Sequence, residues 1–249
     1  MSGHSKWHNI KMRKGAQDAK RGKIFTKISR EIMVAVRESG PNPDTNLKLK
    51  MCIQKARDNS MPNDTVQNAI KRASGAADGA NYEEVYYEGY GPAGVAIFVQ
   101  ALTDNKNRTV SEVRLAFSKH GGNLASQGAV AYLFSRKGQF FFSKETCDED
   151  SIMEIALEAG AEDVKTDSED SIEVITDPSD YQAVRDAFEA AGIGFESAEV
   201  TMIPATTVDI TDEKDASKIL KIMDQLDDCD DVQKVYSNFE IDDSIMEAL

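Results

Sequence analysis

The constraint that most limits what this 249-residue chain can fold into is a simultaneous break in charge and in hydrophobic period near residues 73–81. Residues 1–72 carry 16 Lys and Arg against 6 Asp and Glu, net +10, whereas the remainder carries 13 against 37, net −24. Before the break, apolar residues recur at helical spacing; after it, they alternate with a period of two. The stretch between, ASGAADGAN, is rich in Gly and Ala, as a linker is. A domain boundary is therefore expected there, in a chain long enough to bury two or three small cores.

The charge bias is steepest in residues 1–30, where Lys6, Lys11, Arg13, Lys14, Lys20, Arg21, Lys23, Lys27 and Arg30 stand against the single acid Asp18. A cationic segment on an acidic body attracts an anionic partner, and backbone phosphate is the commonest one. His4, Trp7, His8 and Phe25 are interleaved with these cations. Aromatic rings stack on bases while cations hold phosphates, so the expected partner is nucleic acid. Two blander readings compete. A solvated helix face accounts for a run of three or four lysines but not for nine cations against one acid. A mitochondrial transit peptide is also basic and acid-poor. Here the basic stretch continues unbroken into a patterned helix and reads as part of the fold.

Composition removes several other classes. No run approaches the eighteen apolar residues needed to cross a bilayer, and the first residues lack the apolar centre of a signal peptide, so a cytoplasmic protein without a membrane partner is expected. Cys52, Cys147 and Cys229 are odd in number and have no CxxC spacing, against a disulfide framework or zinc site and in keeping with a reducing compartment. His4 and His8 are spaced as a helical metal pair, yet no HExxH or third ligand accompanies them, and only His120 remains elsewhere. No G-x-S-x-G elbow, P-loop or catalytic cysteine context occurs. The expectation is a non-enzymatic protein with no metal, cofactor or small-molecule substrate, either a monomer or a weak dimer.

Along the chain, residues 17–38 read as an amphipathic helix with Ile24, Ile28, Ile32 and Ala35 or Val36 inward, widened by Phe25 and Met33. Lys20, Lys23, Lys27 and Arg30 recur at steps of three and four, one residue off that stripe. Asn46 is positioned to cap a second helix reaching about residue 59, and Pro62 with Asp64 opens a third. Residues 82–88 and 95–102 then read as strands joined by GYGPAG. That loop is formally G-x-G-x-x-G, but Pro92 lies inside it and a strand follows, whereas a dinucleotide fingerprint opens a helix; it is read as a hairpin loop. In TDNKNRT, Asn105, Lys106, Asn107 and Arg108 are candidates for a secondary phosphate or base contact, while Asp104 or Asn105 equally serves as the cap of a helix from about residue 110, with Val113, Leu115 and Phe117 apolar.

Residues 130–204 follow the order β-α-β-β-α-β, the split βαβ of a ferredoxin-like unit, with its first strand beginning at residue 130. The remaining strand-helix-strand is too small to fold alone and is expected to complete the sheet begun at residue 82. The fold class is α+β and multidomain: a helical domain over 1–78, a discontinuous α/β domain over 79–129 plus 205–249, and an inserted ferredoxin-like domain over 130–204. The acids Asp227, Asp228, Asp230 and Asp231 read as a solvated face. A Mg²⁺ site there lacks a ligand-bearing loop at the right spacing.

The motifs GHSKW (residues 3–7), Arg13-Lys14, KRGKIFTKISREI (20–32), YEGYGPAGVAI, TDNKNRTVSEVR and FSKHGGNL closely resemble the YebC/PmpR family over essentially the whole length. Departures are small: Ser39-Gly40-Pro41 stands where a Gly-Gly turn is usual, and Asn63 stands where the family favours a lysine. The resemblance implies a helical domain and two ferredoxin-like α/β domains, one inserted in the other, with no catalytic residues. It implies a regulator of gene expression. Family members are labelled DNA-binding transcriptional regulators, mitochondrial relatives are translational activators linked to cytochrome c oxidase, and bacterial members resemble ribosome-associated factors that help elongation past difficult sequences. By that similarity Lys6, Trp7, Lys11, Arg13, Lys14, Lys20, Arg21, Lys23 and Lys27 form the nucleic-acid surface, which the helical spacing extends to Arg30. The expected partner is ribosomal RNA on the ribosome, or alternatively DNA.

Overall fold

The computed structural model describes residues 17–75, 82–168, 171–241 and 245, with side chains from Gly22 onward in the first segment. The first three helices among the described residues are α1 (Gln17–Ser39), α2 (Leu47–Asp58) and α3 (Asn63–Gly75). They share a core in which Ile28, Ile32, Ala35 and Val36 of α1 meet Leu49, Cys52 and Ala56 of α2 and Val66, Ala69 and Ala73 of α3. The inward stripe matches the 3.6-residue period of the sequence. Asn46 does more than cap. Its Oδ1 accepts from the Leu49 amide at 3.0 Å, and its Nδ2 donates to the carbonyls of Ala35 and Gly40 at 2.7 and 2.8 Å. One buried side chain thus satisfies the end of α1 and the start of α2, where backbone groups are otherwise orphaned.

The next unit opens with the hairpin β1 (Glu83–Tyr90) and β2 (Ala96–Thr103), joined by a 3-10 turn at Pro92–Gly94. Helix α4 (Lys106–Lys119) leads to the short strand β3 (Asn123–Leu124), which pairs with β1. Gly89 permits this arrangement, because a Cβ there would lie 2.6 Å from the Phe117 ring and 2.7 Å from the Asn123 carbonyl oxygen. Helix α4 starts a turn earlier than the apolar pattern suggests, since the Asn105 side chain caps it by accepting from the Arg108 amide at 3.1 Å. Leu115, expected among its apolar positions, is 56% exposed, one residue off the Val113–Ala116–Phe117 stripe.

The chain then forms a second sheet from β4 (Phe134–Ser143), α5 (Glu149–Glu158), β5 (Asp163–Lys165), β6 (Ser171–Thr176), α6 (Tyr181–Ala190) and β7 (Ser197–Pro204). Strand order is β5-β6-β4-β7 with every pair antiparallel, which is the ferredoxin-like arrangement. Its helix-covered face buries Phe140, Phe142, Ile172, Val174 and Phe188.

After β8 (Val208–Ile210) and α7 (Glu213–Asp228), strand β9 (Val232–Ser237) returns to pair antiparallel with β2, giving the order β3-β1-β2-β9. The last strand, β10 (Phe239–Ile241), lies parallel to β8. The first sheet shares the split pattern of the second: β1 lies between β2 and β3 as β4 lies between β6 and β7. Helices α4 and α7 cover one face of it with Phe117, Ile219, Ile222, Met223 and Leu226.

The expectation that a strand begins at residue 130 is corrected by a buried carboxylate. Glu88, 3% exposed, accepts from the amides of Gly128 and Val130 at 2.6 Å and of Ala131 at 2.8 Å. Those amides face a side chain rather than a strand ladder, residues 131–133 close into a 3-10 turn, and β4 starts only at Phe134. Burial alone would push the Glu88 carboxyl up, but the three N–H donors outweigh it and hold the group below its ordinary value. Its contribution to stability is therefore present in full above the unfolded-state value of about 4.3 and fades as pH falls below it. Glu88→Gln, which replaces one acceptor oxygen by a donor, should cost about 2 kcal/mol at neutral pH. Urea unfolding of both proteins at pH 7 and pH 4 checks this: the gap should shrink at the lower pH.

Candidate nucleic-acid interface

Of the residues expected to form the basic surface, Lys6, Trp7, Lys11, Arg13 and Lys14 lie outside the described residues, and Lys20 and Arg21 are described only as backbone of α1. The stripe they lead into is described. Lys23, Lys27 and Arg30 lie at i, i+4 and i+7 and share one flank of α1, and that flank faces the acidic end of α7 and the turn before β9. Lys23 Nζ lies 2.8 Å from Asp228 Oδ1, and Lys27 Nζ donates to the Asp227 carbonyl at 3.0 Å. Arg30 donates to the Asp230 carbonyl and to Asp231 Oδ1, the latter at 3.2 Å, with its guanidinium 5.5 Å from the Tyr82 ring centroid. Cations expected on an open surface are thus held against acids some two hundred residues away in sequence.

The reading of the acids as a solvated face is corrected at Asp231, whose side chain is 2% exposed. Its carboxylate accepts from Arg108 Nε at 3.0 Å and from Arg108 NH2 at 2.7 Å on Oδ2, and from Thr109 Oγ1 at 2.8 Å. Thr103 Oγ1 adds a contact of 3.2 Å. Burial would raise this carboxyl; hydrogen bonds from Arg108 and Thr109, with the charges of Arg108 and Arg30, hold it below its ordinary value. Asp228, by contrast, keeps 73% of its side chain exposed while pairing with Lys23.

The knuckle before α4 is drawn into the same network. Asn105 caps the helix, and Lys106 Nζ sits 2.5 Å from Glu83. Arg108 bridges Asp231 and Asp104, the latter at 2.8 Å, and the Asn107 side chain lies on the surface. Of these four residues, Arg108 reaches the joint between helical domain and body, sharing Asp231 with Arg30. Exposed cations that sequence reasoning did not single out are Lys48, Lys50 and Arg57 on α2 and Lys71 and Arg72 on α3, with Lys48 paired to Glu38. Their signal was present in the net charge of residues 1–72 but not in any motif.

A cleft of about 590 Å³ runs along the joint, lined by Arg30, Tyr82, Arg108, Glu112, Asp228 and Asp231 among others. Its walls are charged on both sides, unlike the apolar enclosure typical of a small-molecule site. Cys229 on its rim donates to Glu112 Oε2 at 2.8 Å, and burial, then that hydrogen bond, pushes the thiol up to about 11. Burial pushes Cys52 up to about 12. Neither is a thiolate nucleophile at neutral pH. Among the described residues no group of three or more His, Cys, Asp or Glu is placed to hold a metal ion, and no helix is long and apolar enough to cross a membrane.

The Arg108–Asp231 pair sets an asymmetric expectation. Arg108→Ala leaves a buried carboxylate with Arg30 as its remaining cation and should cost about 3 kcal/mol. Asp231→Asn leaves a half-exposed guanidinium that water can hydrate and should cost about 1–2 kcal/mol. Chemical denaturation at pH 7 should rank the two in that order.

Two family models match the chain: the TACO1/YebC protein N-terminal domain over residues 5–76, and the TACO1/YebC second and third domain over residues 82–239. A protein from Persephonella marina is 53% identical over 249 residues, covering 100% of both chains, and one from Clostridium tetani is 57% identical over 241 residues, covering 96% of this chain and 97% of its own. Both carry the name "Probable transcriptional regulatory protein". The crystal structure of a conserved hypothetical protein from Aquifex aeolicus superposes with a TM-score of 0.82 at 45% identity, covering 91% of this chain and 93% of that one. With the helical domain and the α/β body each matched by its own model, and relatives aligned over nearly the whole length, this chain belongs to the TACO1/YebC family.

Proposed function

We propose that this protein is a non-enzymatic regulator of gene expression that acts by binding nucleic acid through its helical domain, and that its target is ribosomal RNA on the ribosome. The observation that carries the reading is electrostatic. A domain of net +10 is joined to a body of net −24, and its outer helices expose Lys50, Arg57, Lys71 and Arg72 in addition to the basic residues 1–30. Such a particle is attracted to phosphate on one side and repelled on the other. The separation into three units also suits a protein that positions one part of a large assembly against another more than one that encloses a substrate.

A second reading, transcriptional regulation through DNA, is favoured by the names of the relatives. It requires an element that enters a groove and reads base edges, commonly in a dimer matched to half-sites.

Cosedimentation with ribosomes from cell lysate separates the readings. The intact chain should travel with ribosomes, and Lys20→Glu/Lys23→Glu/Lys27→Glu should remain in the supernatant; unchanged sedimentation of that variant would sink the ribosomal reading. A specific DNA fragment shifted in the presence of excess ribosomes would put transcription in its place. If about five phosphates are contacted, the logarithm of the affinity should fall against log salt with a slope on the order of −4.

A further inference from the structure

The contacts between α1 and the acidic turn carry a consequence for how the basic surface is made available. We propose that residues 227–231 act as an intramolecular stand-in for a polyanion, closing the Lys23–Lys27 flank of α1 until an anionic partner displaces them. The inference rests on the reading of α1 as part of the nucleic-acid surface and adds to it a closed and an open state.

Geometry supports this assignment. Lys23, Lys27 and Arg30 extend over roughly 10 Å of helix. Residues 227–231, the last two of α7 and the turn that follows, meet all three cations: Asp228 takes Lys23, the Asp227 carbonyl takes Lys27, and Asp230 and Asp231 take Arg30. What they present is what a phosphate strand presents: anionic and carbonyl oxygens at hydrogen-bond distance from ammonium and guanidinium groups. Asp228 Oδ1 takes one Lys23 N–H at 2.8 Å, and its charge offsets the one that a phosphate would meet there.

The strengths of the contacts are graded along the turn. At one end Asp231 is buried and held by Arg108, Thr109 and Arg30. At the other, the Lys23–Asp228 pair is open to solvent, with 44% and 73% of the two side chains exposed, and exposed pairs are weak and screened by salt. The segment is therefore anchored at Asp231 and most readily released at the Asp228 side chain. An incoming polyanion needs only to replace the weak end, with Arg30 as the pivot.

The test is a fluorescence-anisotropy titration of a labelled single-stranded oligouridine with the full chain in three forms. One is the unaltered protein. The second is Asp227→Asn/Asp228→Asn/Asp230→Asn, which keeps Asp231 and its buried network. The third is Asp150→Asn/Glu154→Gln/Glu158→Gln, which makes the same change in net charge on the exposed face of α5. The turn variant should bind about tenfold more tightly than the unaltered protein, while the α5 variant changes little. Equal tightening in both variants, or none in the turn variant, overturns the proposal while leaving nucleic-acid binding intact. If none of the three binds RNA, the proposed function is in error, and the closed state is then judged by acetylation of Lys23 measured by mass spectrometry. Labelling several-fold faster in the turn variant alone supports the closed contact, and an unchanged rate overturns it.

Discussion

The carboxylate of Asp231 is the point on which the arrangement of the three units depends. It sits where β9 begins, accepts from Arg108 and Thr109 on α4 and from Thr103 at the end of β2, and receives Arg30 from α1. The Asp231 carbonyl also takes the Leu102 amide at 2.8 Å, so main chain and side chain of one residue tie the edge of the first sheet to two helices. A buried carboxylate is tolerated only where its charge and lone pairs are met, and here two guanidinium groups and two hydroxyls meet them. The returning strand β9, which is separated from β2 by the whole second sheet, is therefore fixed in place by a polar network as well as by its ladder.

A second tie reaches the helical domain from the other side. Arg185 on α6, whose side chain is 10% exposed, lies 3.6 Å from Asp58 at the end of α2 and 5.1 Å from the Phe195 ring. The helical domain consequently touches both α/β units through ion pairs rather than through a shared apolar core, since its own core contains only residues of α1, α2, α3 and the turn at Met61. Joints of this kind are polar and salt-sensitive, and relative motion of the units is the ordinary expectation for them. Apolar contacts that cross between units join Phe98 and Tyr236 of the first sheet to Phe134 and Met202 of the second, with the Phe98 and Phe134 rings stacked at 5.9 Å. The two α/β units are thus bound more firmly to each other than either is to the helices.

What the sequence made legible was whatever depends on local period and local chemistry. The inward stripe of α1, the cap at Asn46, the hairpin reading of GYGPAG and the split βαβ order of the second sheet all follow from residues within a turn or two of one another. What it concealed depends on contacts across long separations. Nothing in DDCDDV distinguishes Asp231, which is buried, from Asp228, which is exposed, because the difference is made by Arg108 and Arg30, far away in the chain. In the same way Glu88 looks like any strand carboxylate until the amides of residues 128–131 arrive, and their arrival removes a strand start that alternation alone suggested. Asn105 was ambiguous for a different reason: a capping residue and a phosphate contact use the same polar side chain, and only the position of the Arg108 amide decides between them.

The same electrostatics limits how a phosphate surface is approached. With a screening length of about 8 Å at physiological salt, each unit of the molecule meets a partner largely with its own charge rather than with the molecule's net −14. The helical domain is attracted and the body repelled, so a productive encounter has the helices leading and the two sheets facing away. A long duplex offers phosphate on every side of its axis and gives such a molecule many orientations in which the acidic body also comes close. A folded RNA surface with protein beside it gives the body somewhere to lie other than against phosphate. On the proposed reading, the acidic composition of residues 73–249 is then a device for orientation, one that selects the direction of docking before any base or backbone contact is made.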